Sequence, residues 1–468
     1  MSTGEDQTDG EPPRDEAGQE RAYALDRRAI AAILYAVDVG DRDQLIELME
    51  PLHAADIADL LEQINAFDRS RLIRLYGREF DGDILSELDE SIREEVIGIL
   101  HPHVLAEAVR DLESDDVVDL VEDLEAPQQA AILGALEAAD RVAVQQALTY
   151  PENSAGRLMQ REVVFAPDHW NVGQAIDYLR NSDDLPEQFY HIVLVDPRLH
   201  PLANVTLGKL MGSPRNVLLK DITEEVFQVI PVDQDEEDVA YAFNQYHLIS
   251  APVVDPEGRL VGMITIDDAM TVLDEEHEED ILRLAGVGEE SSLSDRVIDT
   301  TKRRIPWLVV NLGTAALAAL VIAQFEETIA VLVALAVLMP IVASMGGNAG
   351  TQSLTVAVRA IATRDLTASN AWRVIRREML VGLLNGLTLA IPLGIVTALI
   401  FGSPLLGGVI AAALIINLFV AALSGVAVPI LLDKAGVDPA LASGVFVTTV
   451  TDVIGFFAFL GLATVVLL

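Results

Sequence analysis

The sequence predicts a multidomain protein in three parts: an all-α superhelical N-terminal domain, a tandem pair of α/β domains, and an α-helical polytopic membrane domain with five transmembrane helices. Three observations predict it. Uncharged apolar stretches crowd the last third of the 468 residues. Short runs with helical spacing fill the chain from Tyr23 to about Leu148. Between these two regions one order of strands and helices occurs twice.

The membrane part has the plainest signal. Residues 305–325 and 328–358 carry no charge, and 379–432 run for 54 residues without one, interrupted by Gly402-Ser403-Pro404. The stretch 439–468 holds a single acid, Asp452. A helix crosses the hydrocarbon layer with about 20 apolar residues. Splitting the long run at its Gly-Ser-Pro turn places spans at 306–325, 329–350, 379–401, 405–432 and 440–467. A buried helix of a soluble protein accounts for any one of them but not for all five in succession.

Orientation follows from the basic residues. Beyond residue 300 they fall before span one (Lys302, Arg303, Arg304), between spans two and three (Arg359, Arg364, Arg373, Arg376, Arg377), and between spans four and five (Lys434). With five spans these places share one side, and short basic loops mark the cytoplasm. The expectation is a multi-pass cell-membrane protein with cytoplasmic N-terminal domains and its C-terminus outside.

Charge separates the two halves. The net charge is −42, with 66 of 73 acids and 22 of 31 bases in residues 1–300, so that region stands at −44 and the rest at +2. Such a surface repels nucleic acid and anionic lipid and attracts cations. Two readings fit it: a cation-sensing domain, or the surface of a protein from a very salty cytoplasm, where screening makes dense acid tolerable. The chain has no cysteine, which excludes disulfides and thiolate metal sites. Residues 1–20 are polar and acidic and do not read as a signal peptide.

In chain order, residues 1–22 read as a disordered acidic tail, and 23–150 as the helical superhelix domain. Ile57, Leu60, Leu61 and Ile64 keep i, i+3, i+4, i+7 spacing, with similar runs at Val96–Leu100, Val117–Leu124 and Ala130–Leu136. Asp115-Asp116 looks like a helix start. Asp115 and Asp119, four apart, share a helical face; they form either a solvated face or part of a cation site completed by a neighbouring domain.

The repeat comes next. The first copy runs Arg161-Glu-Val-Val-Phe-Ala-Pro, a helix at 171–181, the strand Ile192-Val-Leu-Val-Asp-Pro and a weaker strand near Leu202. The second runs Phe227-Gln-Val-Ile-Pro-Val, a helix at 235–246, Ala251-Pro-Val-Val-Asp-Pro-Glu-Gly, the strand Leu260–Ile264 and a helix from Asp267. This resembles a pair of CBS modules, at 151–216 and 217–273. The resemblance implies tandem CBS domains in which Thr265 and Asp268 contact the phosphate and ribose of ATP or another adenine nucleotide. Chemically, a hydroxyl at a helix start donates to phosphate and a carboxylate accepts from ribose hydroxyls. The alternative is that Thr265 only caps its helix. The first module has Thr206-Leu-Gly-Lys209 at the equivalent place and lacks the Asp.

Residues 274–304 read as an acidic linker, with Asp274-Glu-Glu-His-Glu-Glu-Asp280 followed by an amphipathic stretch at 291–304. Acids this dense on one helix call for counter-ions, and hard divalent cations take oxygen ligands of this kind. His277 reads as solvated.

Polar residues inside hydrocarbon face a cavity or a partner. They occur as Pro340-Ile-Val-Ala-Ser-Met-Gly-Gly347-Asn348-Ala-Gly-Thr-Gln-Ser, as Asn385 and Asn417 in spans three and four, and as Thr448, Thr449, Thr451 and Asp452 in span five. The Pro and close glycines predict a broken helix, close backbone approach and carbonyls freed for an ion. A lone carboxylate in a span protonates or meets a cation; otherwise Asp452 packs as a neutral residue or pairs across a dimer.

The order of parts, with Met345-Gly-Gly-Asn-Ala-Gly-Thr-Gln-Ser, Asp438-Pro-Ala-Leu-Ala-Ser and Thr451-Asp452, resembles the MgtE-type magnesium channel family over about 25–468. The resemblance implies a homodimer in lipid with its pore at the subunit interface, a largely hydrated Mg²⁺ held at Asp452, and a linker helix that plugs the channel when cytosolic Mg²⁺ is sufficient. Pore positions would be Gly347, Asn348, Gly444, Thr448 and Asp452. Regulatory metal positions would be Asp115, Asp119, Asp235, Glu237, Asp268, Glu276, Glu279 and Asp280. Two family carboxylates are replaced by His247 and Thr271. Gly444 stands for an expected asparagine and Thr448 for an expected alanine, which touches selectivity among Mg²⁺, Ca²⁺ and Mn²⁺.

The predicted function is magnesium uptake through a Mg²⁺-gated channel. Competing readings are a broader divalent-cation transporter (Mn²⁺, Co²⁺, Ca²⁺), a gradient-coupled carrier, and a membrane-anchored CBS sensor that transports nothing. An enzyme is not expected: there is no nucleophile–base set, no P-loop, and no histidine in the spans. Catalytic residues are therefore none, and nucleic acid is not an expected partner.

Overall fold

A computed structural model describes residues 25–468 except 111, 123, 125, 183, 184, 187 and 288–296. The expected disordered tail, 1–22, and residues 291–296 of the amphipathic stretch lie outside them. The chain forms two compact units, 1–273 and 274–468.

The first unit opens with ten helices: α1 (Arg27–Val39), α2 (Arg42–Met49), α3 (Ala54–Gln63), α4 (Ala66–Tyr76), α5 (Asp83–Ser86), α6 (Glu90–Ile99), α7 (Pro102–Ala108), α8 (Ser114–Glu122), α9 (Ala126–Ala135) and α10 (Ala138–Ala147). Local chemistry starts several of them. The carboxylates of Asp26 and Asp41 and the amide oxygen of Asn65 each accept a first-turn backbone N–H, and His53 with Asp56 makes a reciprocal capping box. The predicted stripe of Ile57, Leu60, Leu61 and Ile64 is buried. Each such side chain contributes roughly 1.5–3 kcal/mol of burial. Helices pack on neighbours close in sequence, such as α1 on α2 and α4, α4 on α6, and α8 on α9 and α10. One apolar core runs along them, the arrangement of a superhelix.

The tandem repeat holds at the level of single residues. After α11 (Ala155–Leu158), the first module contains β1 (Phe165–Pro167), α12 (Val172–Asn181), β2 (His191–Val195), β3 (Pro201–Thr206) and α13 (Leu207–Gly212). The second contains β4 (Ile230–Pro231), α14 (Glu236–Tyr246), β5 (Ser250–Val254), β6 (Leu260–Thr265) and α15 (Ile266–Ala285). In each sheet the middle strand pairs parallel with the first and antiparallel with the last. His191 lies opposite Thr206 as Ser250 lies opposite Thr265, and each copy shifts register at the matching place, Leu194/Val195 and Val253/Val254. The middle strands β2 and β5 are buried along their whole length. The equivalent residues His191 and Ser250 bond to each other at 2.7 Å, both buried. Burial also holds the His191 imidazole below its usual pKa. The helix predicted from Asp267 and the acid run of the linker prove to be one 20-residue helix, α15.

The second unit holds α16 (Val297–Ala323), the short α17 (Glu326–Val331), α18 (Ala334–Ala362), α19 (Ala371–Phe401), α20 (Pro404–Lys434) and α21 (Pro439–Leu467). Five of these are long and apolar enough to cross a membrane. The predicted turn between spans three and four is present: Gly402 takes a left-handed φ of 63°, Ser403 caps α20 and Pro404 opens it. The α20 helix is the most enclosed span and packs against α18, α19 and α21.

One expectation is corrected. The α18 helix runs unbroken through Pro340 and the glycine segment. Proline removes one donor, and an unsatisfied carbonyl in hydrocarbon is costly enough that the helix reseals around it. The close approach expected of the glycines is present. A Cβ at Gly350 would lie 2.6 Å from Val447 on α21, and one at Gly425 on α20 would lie 2.7 Å from the Gly350 carbonyl.

Candidate ion path and acid clusters

Asp452 sits half-buried on α21 and makes no hydrogen bond or ion pair among the described residues. The surrounding hydroxyls turn back on their own helix. Thr448 donates to the carbonyls of Gly444 (2.9 Å) or Val445 (3.1 Å), Thr449 to Val445 and Thr451 to Thr448. Thr448 thus spends its proton on the backbone and keeps lone pairs for a cation or its water. On α18, Asn348 is exposed and Gly347 half-buried. The Gly347 carbonyl, expected to be free, accepts from Thr351 Oγ1 at 3.0 Å. A Cβ at Gly444 would stand in ordinary contact with the Leu284 carbonyl at 3.8 Å and with Leu354 Cδ2 at 4.0 Å. Leu284, near the end of α15, packs against a cluster of Leu354, Val358, Ala440 and Val447.

The same helix end carries the linker acids. Glu279 pairs with Arg283, whose Nη1 donates to Asp438 at 2.6 Å. Asp438 in turn caps α21 by accepting from the Ala440 N–H at 2.7 Å. The Asp280 carboxyl is raised by burial first, then by the Asp438 charge, with Arg283 opposing. Glu276 is half-buried on this helix. Glu279 and Asp280 are therefore gathered beside Asp438, an acid that the sequence reading quoted in a motif without giving it a role. An aspartate directly before Pro439-Ala was its available signal.

In the first unit, Asp115 on α8 and Asp268 on α15 come together with Glu113 and Asp116. Asp115 is buried, and its carboxyl is pushed well above the usual range by burial and then by Asp268, Asp116 and Glu113. Burial also raises Glu113 and Asp116 to about 7 and Asp268 to about 6, with neighbouring acids adding to each shift. Neutral partners hold parts of the cluster in place: Gln160 Nε2 donates to Glu113 at 2.9 Å, and Ser114 Oγ to Glu162 at 2.8 Å. Glu113 and Asp116 were missed, although the run Glu113-Ser-Asp-Asp announces both.

Other predicted ligands stand differently. Asp119 pairs with Arg93 at 2.7 Å. Asp235 is exposed and caps α14 by accepting from the Glu237 N–H; Glu237 is also exposed. His247 ends α14 with a left-handed φ of 54°. Thr271 donates to the Asp267 carbonyl. Among the described residues no group of three or more His, Asp or Glu is placed to hold a bare metal ion. A Mg²⁺ that keeps most of its water needs only one or two carboxylates.

At the suggested nucleotide contacts, the Thr265 hydroxyl reaches Asp268 Oδ2 at 2.6 Å and also Asp267. In the first module, Thr206 Oγ1 donates to Glu224 at 2.9 Å and Lys209 Nζ pairs with Glu224 at 3.0 Å. That equivalent place is filled by the protein's own carboxylate.

Comparisons with known proteins match each part. A family model described as a divalent cation transporter, MgtE, covers residues 339–462; the MgtE intracellular N domain covers 52–153; a CBS domain covers 219–275. Magnesium transporter MgtE of Thermus thermophilus is 31% identical over 450 residues, 95% of this chain and 99% of the relative. That of Bacillus subtilis is 30% identical over 424 residues, 89% and 92%. The chain belongs to the MgtE family. Its MgtE relatives are magnesium transporters, so the activity is ion transport and not catalysis. The family and the five apolar helices make it a membrane protein with a soluble N-terminal region. Similar solved structures include the soluble part of a magnesium transporter (25% identity, TM-score 0.47, 53% of this chain and 98% of that one). Another is the cytosolic domain of the Mg²⁺ channel MgtE in complex with ATP (27% identity, TM-score 0.49, 52% and 99%).

Proposed function

We propose that this MgtE-family protein is a homodimeric, magnesium-selective channel for uptake, closed by cytosolic Mg²⁺. The observation that carries permeation is Asp452, a half-buried acid inside an apolar span with no counter-charge among the described residues. A carboxylate there offsets the cost of bringing a dication to membrane depth. Gly347, Asn348, Gly444 and Thr448 complete the proposed path. The soluble portion and linker face the cytoplasm, the side marked by the basic loops, and the C-terminus lies outside.

Closure rests on the acid clusters. Asp115 with Asp268, and Glu279 and Asp280 with Asp438, repel themselves when ionised. Hydrated Mg²⁺ relieves that repulsion and favours whichever arrangement binds it better. Asp119, Asp235, Glu237 and Glu276 are the further proposed regulatory positions. Thr265 and Asp268 are the proposed contacts for an adenine nucleotide, whose ribose hydroxyls would replace Thr265 as donors to Asp268. ATP binding to the full-length protein should weaken in Thr265→Ala if so.

Proteoliposome flux of Mg²⁺, Mn²⁺, Co²⁺ and Ca²⁺, with and without a proton gradient, tests the reading. The expected result is Mg²⁺ flux that follows voltage, ignores the proton gradient and falls as internal Mg²⁺ rises. Flux driven by the proton gradient would make the protein a carrier. Equal rates for all four ions would make it a general divalent-cation transporter.

A further inference from the structure

Asn417 lies midway along α20 and is fully buried. Its Nδ2 donates to the Val342 carbonyl of α18 at 2.8 Å. Its Oδ1, equally buried, accepts no hydrogen bond from the described residues. Two glycines enclose the carboxamide. A Cβ at Gly346, one turn beyond Val342, would overlap Asn417 Nδ2 and stand 2.9 Å from its Cγ. A Cβ at Gly455 on α21 would stand 2.6 Å from Nδ2 and 2.8 Å from Cγ. The side chain is a polar wedge between two other helices, and both must present glycine to admit it.

Both glycines adjoin the proposed ion path. Gly346 directly precedes Gly347 and Asn348, and Gly455 follows Asp452 by three residues, less than one helical turn. Rigid helices transmit a shift at either glycine to those neighbours with little loss. An apolar side chain here would leave no bare acceptor, so packing alone does not account for an amide.

We propose that Asn417 is the positioning residue of the ion path: it fixes the spacing between the Gly347-Asn348 segment of α18 and the Asp452 segment of α21, and through that spacing sets ion preference without touching the ion. The inference rests on the reading of Asp452 and Asn348 as path residues. Mg²⁺ and Ca²⁺ differ in size and in how readily they shed water, so spacing discriminates between them.

The test measures thermal stability, half-saturating concentration, maximal flux and the Mg²⁺:Ca²⁺ flux ratio in full-length protein. Asn417→Leu keeps the branching at Cγ, adds volume and removes the amide. Gly455→Ala keeps the amide and drives a methyl group into it. Both should lower the Mg²⁺:Ca²⁺ ratio by about tenfold while flux persists, a selectivity effect that loss of packing alone would not give. Asn417→Ala combined with Gly455→Ala should recover the stability that Gly455→Ala loses, and it should not recover the ratio. If the folded variants keep the wild-type ratio and half-saturation while Asp452→Asn abolishes flux, the positioning role is wrong and the path stands. If Asp452→Asn transports like wild type, the path reading fails and this inference falls with it.

Discussion

Asp452 is where single-residue chemistry is most exposed to test. Replacing it by Asn keeps shape and removes the charge, so Asp452→Asn should cut Mg²⁺ flux by about two orders of magnitude while leaving the helix packed. Wild-type flux from correctly folded protein would remove Asp452 from the path. Thr448→Ala deletes a hydroxyl that already bonds its own helix, so total flux should change little and the Mg²⁺:Ca²⁺ ratio more; an unchanged ratio would show that Thr448 does not line the path. Asp452 was legible from sequence because it is the only acid in its apolar stretch. The contacts of Asn417 were not: its bond to Val342 spans 75 residues, and no local pattern encodes which helices will cross there. The same limit hid Glu224, whose carboxylate meets Thr206 and Lys209 only once the first CBS module has folded.

Helices and strands were read well wherever a period or a cap declared them. The tandem repeat, the N-terminal stripes and the turn at Gly402 all follow from local rules. Continuity was harder. The break expected in α18 does not occur, because in hydrocarbon the backbone closes its own hydrogen bonds even across proline. The acid run after residue 273 likewise continues the last CBS helix, since nothing in Asp267–Arg283 stops a helix. That continuous helix gathers Glu279 and Asp280 beside Asp438, with Arg283 as the internal counter-ion. Replacing Glu276, Glu279 and Asp280 together by Ala, Ala and Asn removes the acids and leaves the helix formers in place. The triple variant should need about tenfold more internal Mg²⁺ for half-inhibition, with maximal flux intact; that shift equals about 1.4 kcal/mol of lost coupling. Inhibition at the wild-type concentration would detach this helix from gating.

At the scale of the whole molecule, the charge of −44 in residues 1–300 admits either sensing or adaptation to salt, and the buried acids supply a way to separate them. Asp268 is raised to about 6 and Glu113 and Asp116 to about 7, chiefly by burial, and Asp115 is raised as well. A carboxylate whose folded pKa exceeds its unfolded value, near 4, holds its proton more tightly when folded. The packed cluster therefore loses stability as pH rises from about 4 through about 7, the window set by Asp268, Glu113 and Asp116. Without divalent cations, protection of residues 25–273 from protease should be greatest near pH 4 and decline as pH rises to about 7. Bound Mg²⁺ favours the ionised carboxylates and compensates their repulsion, so at millimolar Mg²⁺ the decline should flatten. Potassium salt at matched ionic strength separates binding from screening, because screening acts on exposed charges more than on buried ones. Buried Asp115 and its neighbours should thus respond to magnesium well beyond what potassium gives. If potassium flattens the pH profile as fully as magnesium, the acids are a surface suited to a salty cytoplasm and the sensing role assigned to them is wrong.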